Sequence, residues 1–205
     1  MENIYTLAML SSIVVFTLTS SVTPGPNNII ILSSGLTFGY KKTIPHILGV
    51  VLGYPFMLIL LGLGIGVVLE KFPIVLNILR YVGIAYLFWM AYKIVSNTSS
   101  YEVTENSNKK PFSFLQSALF QWVNPKAWIM GLTVISLFVT SSENSLIQIL
   151  TIALIYALSI VIGTSLWAIG GVFLKRFLKD AKSVRFFNII LAVFLIVSVV
   201  PVMFE

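Results

Sequence analysis

Six apolar runs, each long enough to cross a bilayer, take up nearly the whole chain. They are Tyr5–Leu36, Thr43–Leu69, Pro73–Val95, Phe112–Val139, Leu146–Leu174 and Val184–Phe204. A hydrocarbon core about 30 Å thick takes roughly 20 apolar residues in a helix. Only 10% of the 205 residues are charged and 58% are hydrophobic, against about 25% charged in soluble domains. A surface that poor in charge has to face lipid. The expected fold is therefore an all-α integral membrane protein of six transmembrane helices. No run is left over for a water-soluble domain, so function must lie within the membrane or at its faces.

The net charge is +6, and its distribution reads as topology rather than as nucleic-acid binding. With the loops after spans one, three and five on one face, that face carries Lys41, Lys42, Lys93, Lys109, Lys110, Lys175, Arg176, Lys179, Lys182 and Arg185. The other face carries Lys71 and Arg80. Loops rich in Lys and Arg stay cytoplasmic, which puts both termini outside. The short basic loops can also touch anionic lipid. The start Met1-Glu2-Asn3 lacks the basic region of a signal peptide, so the first span is expected to be retained. The absence of cysteine removes disulfides, thiolate metal sites and cysteine nucleophiles from consideration.

The polar stretch Ser96–Lys110 divides the chain into residues 1–95, a linker at 96–112, and residues 113–205. Two short matches relate the halves. Val22-Thr23-Pro24 pairs with Val123-Asn124-Pro125, and Arg80-Tyr81 with Arg185-Phe186. Three spans is an odd number, so such halves sit in opposite orientations. Two inverted three-helix repeats, with helices 1 and 4 interrupted by proline, form a recurring transporter plan. In span two, Gly49/Gly53 and Gly62/Gly66 have the spacing that lets helix backbones approach closely.

Span one is broken by Thr23-Pro24-Gly25-Pro26-Asn27-Asn28. Each proline removes a backbone donor and clashes with the preceding turn. Irregular backbone at membrane depth needs protein or a water-filled cavity to satisfy it. Pro26 suits the first turn of a new half-helix, and the amides near Asn27 and Asn28 would turn a partial positive charge into that cavity. Span four carries Asn124-Pro125-Lys126. Lys126 is the one charged residue placed within a span rather than at its ends, which costs at least ~2.5–3.5 kcal/mol on insertion scales and marks a functional position.

Thr23-Pro24-Gly25-Pro26-Asn27, with Gly39 and the basic pair after it, resembles the first-span signature of the LysE/RhtB amino-acid exporters. Asn124-Pro125-Lys126, Gly83-x-x-Tyr86-Leu87, the length and the six-span plan are similar to that family over essentially the whole chain. The resemblance implies a multi-pass exporter of amino acids or close derivatives in the bacterial cytoplasmic membrane. It needs no bound cofactor, and an ion gradient, the proton gradient first, drives it.

The residues suggest how such a site would work. The half-helix start at Asn27-Asn28, with Lys126, would hold a substrate carboxylate. Asn124, Thr23 and the carbonyls freed by Pro24 and Pro125 would hold the ammonium. No acid lies within a span, so a basic substrate finds no partner and a neutral amino acid or similar small zwitterion is favoured. His46, the single histidine, stands beside Lys41 and Lys42 at the start of span two and reads as structural or solvated. Tyr54, Trp122, Trp128, Tyr156 and Trp167 are candidate cavity-lining aromatics. A metal-cation exporter would want buried carboxylates, histidines or thiolates, and an intramembrane enzyme a nucleophile–base pair or a metal motif. Both are disfavoured. A non-transporting accessory or scaffold protein is the remaining alternative. The expected partners are a small-molecule substrate and the lipid bilayer, with no nucleic acid; homo-oligomerisation is left open.

Overall fold

The computed structural model describes residues 4–65, 71, 73–96, 110–140, 143–178, 180–197 and 200. The middle of the polar linker lies outside them, as do Glu2, Glu70, Glu102, Glu105, Lys109, Lys179 and Glu205. The described residues form eight α-helices: α1 Leu7–Val22, α2 Pro26–Phe38, α3 Tyr40–Leu60, α4 Pro73–Ser96, α5 Phe114–Phe120, α6 Pro125–Phe138, α7 Ser145–Leu174 and α8 Ala181–Val197.

Three of these are long and apolar enough to cross a membrane, or four if α1 and α2, bent by 55° at the break, count as one. The break in the fourth apolar run leaves α5 and α6 with 7 and 14 residues, each too short alone. The two interruptions thus fall where the prolines put them. Thr23-Pro24-Gly25 separates α1 from α2, and α5 ends in a single tight turn, Gln121–Val123, before Pro125 opens α6.

The helix ends follow from local sequence. Thr6 caps α1 through Met9. Ser113 and Gln116 form a reciprocal capping box on α5, satisfying two amides that the helix cannot. Asp180 receives the Ser183 amide and hydroxyl ahead of α8, and those bonds hold its carboxyl below the usual range. Between α2 and α3 the single residue Gly39 turns the chain at φ 80°, a conformation that side chains disfavour. Two abutting helices can therefore follow one another without a loop.

The short helix α2 lies at the centre. Ile31 joins a core with Tyr54, Met57, Ile152 and Tyr156, while Ile29, Ile30 and Leu32 join a second core with Leu87, Phe120, Leu191 and Leu195. Nine of the 13 residues of α2 are buried, Asn28 and Ser34 among them. The 30-residue α7 packs along α1, α2 and α3; α5 lies on α3, and α4 on α8. Small residues set these distances. A side chain at Gly171 would strike the Leu32 carbonyl, and one at Gly53 the Ala118 backbone. Gly49 likewise faces the Phe114 carbonyl and Ser117, so the close approach expected of Gly49/Gly53 is made against α5.

Candidate functional site

A helix that ends at Val22 strands its last four carbonyls, and in a dry interior each needs a donor. All four find one. The Thr23 amide reaches Thr19 O at 3.0 Å. The Thr23 hydroxyl donates to Ser20 O at 3.0 Å. Asn28 Nδ2 donates to Ser21 O at 2.8 Å. Trp167 Nε1, from α7, donates to Val22 O at 2.9 Å. Beyond the helix, Thr23 O accepts from Asn28 Nδ2 and from Lys126 Nζ, each at 2.8 Å. Lys126 Nζ also meets Thr23 Oγ1 at 2.8 Å and Pro24 O at 3.3 Å.

The second break is satisfied differently. Asn124 caps α6, its Oδ1 accepting the Lys126 amide at 3.2 Å. Trp128 Nε1 reaches back to Trp122 O at 2.8 Å. The Val123 carbonyl lies against Gly83 of α4, which explains the glycine in Gly83-x-x-Tyr86-Leu87. At the start of α2, by contrast, Gly25 has no side chain with which to cap. The amides of Asn27 and Asn28 therefore lack a side-chain cap, whereas the matching end of α6 has one.

The breaks are joined by an amide pair. Asn27 Nδ2 donates to Gln121 Oε1 at 2.8 Å, and Gln121 Nε2 to Asn27 Oδ1 at 3.3 Å and to Ser117 O at 2.7 Å. Gln121 is fully buried.

Around this pair lies a small cavity whose water-accessible space is ≈ 60 Å³, below the size range of open small-molecule sites. Its polar lining is Ser20, Ser21, Asn27, Asn28, Gln121, Asn124, Lys126 and Thr164, with Tyr54 and Tyr156; Gly25, Val50, Ala127, Met130 and Ile160 supply the rest. Among the described residues no carboxylate or histidine lines it. Ser20 Oγ and Tyr156 Oη lie 3.0 Å apart, and the Tyr54 and Tyr156 rings meet edge-on at 4.8 Å. Ser21 Oγ and Tyr54 Oη are buried without a hydrogen-bond partner. Among the described residues no cluster of three or more His, Asp or Glu could hold a metal ion.

Of the residues singled out in the sequence, Gly25, Asn27, Asn28, Asn124 and Lys126 line this cavity. Thr23 and Pro24 bind Lys126, while Pro26 and Pro125 open α2 and α6 without lining it. One expected partnership is altered. The carbonyls foreseen as the seat for a substrate ammonium are occupied by the ammonium of Lys126, because the side chain crosses Gly25 and ends at the helix break. Of the aromatics, Tyr54 and Tyr156 line the cavity. Trp167 ties off α1, and Trp122 and Trp128 pack edge-on against each other at 6.2 Å. Gln121, Ser20, Ser21 and Thr164 were not foreseen. A buried glutamine three residues before Asn124 was a readable signal, whereas the serines and threonine were not separable from ordinary helix positions.

Two apolar runs are broken at proline, a polar cavity lies between the breaks, and comparison with known proteins gives the class. The profile of the family described as LysE type translocator matches residues 18–204. A cysteine/O-acetylserine efflux protein of Salmonella typhimurium is 32% identical over 197 residues, covering 96% of this chain and 98% of the relative. One of Escherichia coli O157:H7 is 32% identical over 200 residues, covering 97% and 100%. No solved structure matches. The protein is a multi-pass membrane transporter, not an enzyme. The chain belongs to the LysE type translocator family.

Proposed function

We propose that this protein exports a small neutral amino acid, or a similar zwitterion such as cysteine or O-acetylserine, across the bacterial cytoplasmic membrane by alternating access. The observation that carries this reading is the seat of Lys126. An ammonium group is already held by the carbonyls of Thr23 and Pro24, beside the uncapped first turn of α2. A zwitterion brings a second ammonium and a carboxylate. Its ammonium takes over the Thr23 and Pro24 carbonyls, and Lys126 swings onto its carboxylate together with the Asn27 and Asn28 amides. Charges stay paired throughout, which a low-dielectric site requires.

The same exchange sets selectivity. A lysine or arginine cargo leaves a cation unpaired, since no acid lines the cavity. An amine blocked by acetylation cannot replace the Lys126 ammonium. The small polar cargoes named for the relatives suit a cavity lined by hydroxyls, amides and one ammonium.

In this reading the chain crosses the membrane six times as two inverted repeats, α1 to α4 and α5 to α8, with its termini outside. The cargo site lies between the two broken helices, and rocking one repeat against the other exposes it to each side. The proton gradient drives net efflux.

The test is uptake into inside-out vesicles, with cysteine, O-acetylserine, lysine and N-acetylcysteine offered separately. The expected order puts the two neutral zwitterions well above the other two. Lysine as the best cargo, or N-acetylcysteine carried as well as cysteine, sinks the exchange mechanism.

A further inference from the structure

His46 is not where its basic neighbours suggest. It is fully buried, its ring is stacked on Phe112 at 5.1 Å and 24°, and neither ring nitrogen has a hydrogen-bond partner. A purely structural position gains nothing from this. Phenylalanine or leucine would fill the space without leaving a polar atom unpaired.

The position of His46 relative to the cavity is specific. His46, Val50 and Tyr54 are spaced four residues apart, so they share one face of α3, and all three are buried. Val50 and Tyr54 line the cavity. His46 is one helical turn before Val50, about 6 Å along the axis. A polar route runs beside it. Ser117 sits against Gly49, its carbonyl accepts from Gln121, and Gln121 pairs with Asn27 at the cavity.

Resting on the exporter reading, we propose that His46 is the proton-carrying residue that couples efflux to the proton gradient, shut off from water here by Phe112. For each zwitterion that leaves, one ring nitrogen takes a proton from water on one side and gives it up to water on the other. One N–H bond forms and breaks, and nothing is oxidised or reduced. Access requires Phe112 and α5 to lift off α3, which is the movement an opening between the repeats produces.

Among the described residues, few other titratable groups stand near this ring by sequence position or packing. On α3 itself they are Tyr40, Lys41, Lys42 and Tyr54. The segment entering α5 contributes Lys110, α4 contributes Tyr86, which packs on Phe112, and α7 contributes Tyr156. The helices α2 and α5 and the turn Gln121–Val123 carry none. Among these groups none is a carboxylate, and imidazole is the side chain whose unperturbed titration falls in the physiological range.

The experiment separates coupling from carriage. Wild type, His46→Gln and His46→Phe, which keeps the stack and removes the nitrogens, are reconstituted and given radiolabelled cysteine under reducing conditions. Counterflow needs no net proton movement; accumulation driven by a pH gradient does. Both variants are expected to keep counterflow within about twofold of wild type while losing at least about tenfold in gradient-driven accumulation. Gradient-driven accumulation at wild-type level in either variant overturns the proposal. Parallel loss of both activities overturns it too, by making His46 structural. A wild-type protein without counterflow of cysteine or O-acetylserine instead sinks the exporter reading itself.

Discussion

The Lys126 ammonium lies 2.8 Å from both the carbonyl oxygen and the hydroxyl oxygen of Thr23, a residue 103 positions earlier in the chain. One lysine of α6 thus holds the break that follows α1. Lys126→Ala deletes that contact and the carboxylate partner together. Transport of cysteine in vesicles is expected to fall to background. Stability should fall by only about 1 kcal/mol, since Asn28 still serves Thr23 O. Lys126→Gln can still donate to one carbonyl but brings no charge, so it should restore the melting temperature and not transport. Measurable transport by Lys126→Gln would show that the charge is dispensable.

Gly25 is defined by what crosses it. Its φ of −179° is open to any residue, so backbone strain does not explain the glycine. A Cβ there would lie 2.6 Å from Lys126 Cδ. Gly25→Ala is therefore expected to push the lysine off the Thr23 and Pro24 carbonyls while leaving α2 intact. The kinetic signature is a KM for cysteine raised by about tenfold, with a melting temperature close to wild type, because the lost interaction is one of binding. An unchanged KM would mean that Lys126 finds its place by another path.

Much of this site was legible in the sequence because membranes penalise what it contains. Two prolines around a glycine, and one lysine inside an apolar run, break rules that a lipid-facing helix otherwise keeps. The residues that complete the site break no rule. Trp167 and Ser20 are ordinary in a membrane helix, and their roles depend on α7 lying against the end of α1. The partners of Gln121 follow from packing between residues 94 apart. Which of the two readings of His46, structural or solvated, applies was not legible for a related reason. Its neighbours Lys41 and Lys42 are exposed, but Phe112, from the far side of the linker, folds over the ring, and no local pattern announces that. The interruption of the fourth apolar run was legible from Pro125, and it leaves pieces of 7 and 14 residues.

The reciprocal amides of Asn27 and Gln121 form the one side-chain pair seen here that ties the start of α2 to the turn before α6. Removing either member leaves the other amide without its partner. Asn27→Ala and Gln121→Ala should therefore each cost about as much as the double variant, with a coupling energy in the range of about 0.5–3 kcal/mol. Thermal unfolding in detergent measures the stability cycle, and cysteine counterflow measures the transport cycle. Strict additivity in both would show that the two amides act independently and that the junction lies elsewhere.

Gly171 tests whether α2 is held rigidly at the centre. A side chain there meets the Leu32 carbonyl, with the Leu36 amide nitrogen at 2.8 Å. Both are backbone atoms inside a helix and cannot turn aside as a side-chain tip can. Overpacking typically costs about 1–3 kcal/mol, and against fixed backbone the upper end of that range applies. Gly170, next along the chain, meets only Leu32 Cδ1 at 3.6 Å, an ordinary contact with a rotatable group. Gly171→Ala is expected to give little folded protein, read as the monodisperse fraction on size-exclusion chromatography, whereas Gly170→Ala should match wild type. The contrast between neighbours removes general helix propensity as an explanation, since glycine leaves the same kind of helix in both cases. Equal recovery of the two variants would mean that α7 can move away from α2, and that the enclosure of the cargo site on that side is not fixed.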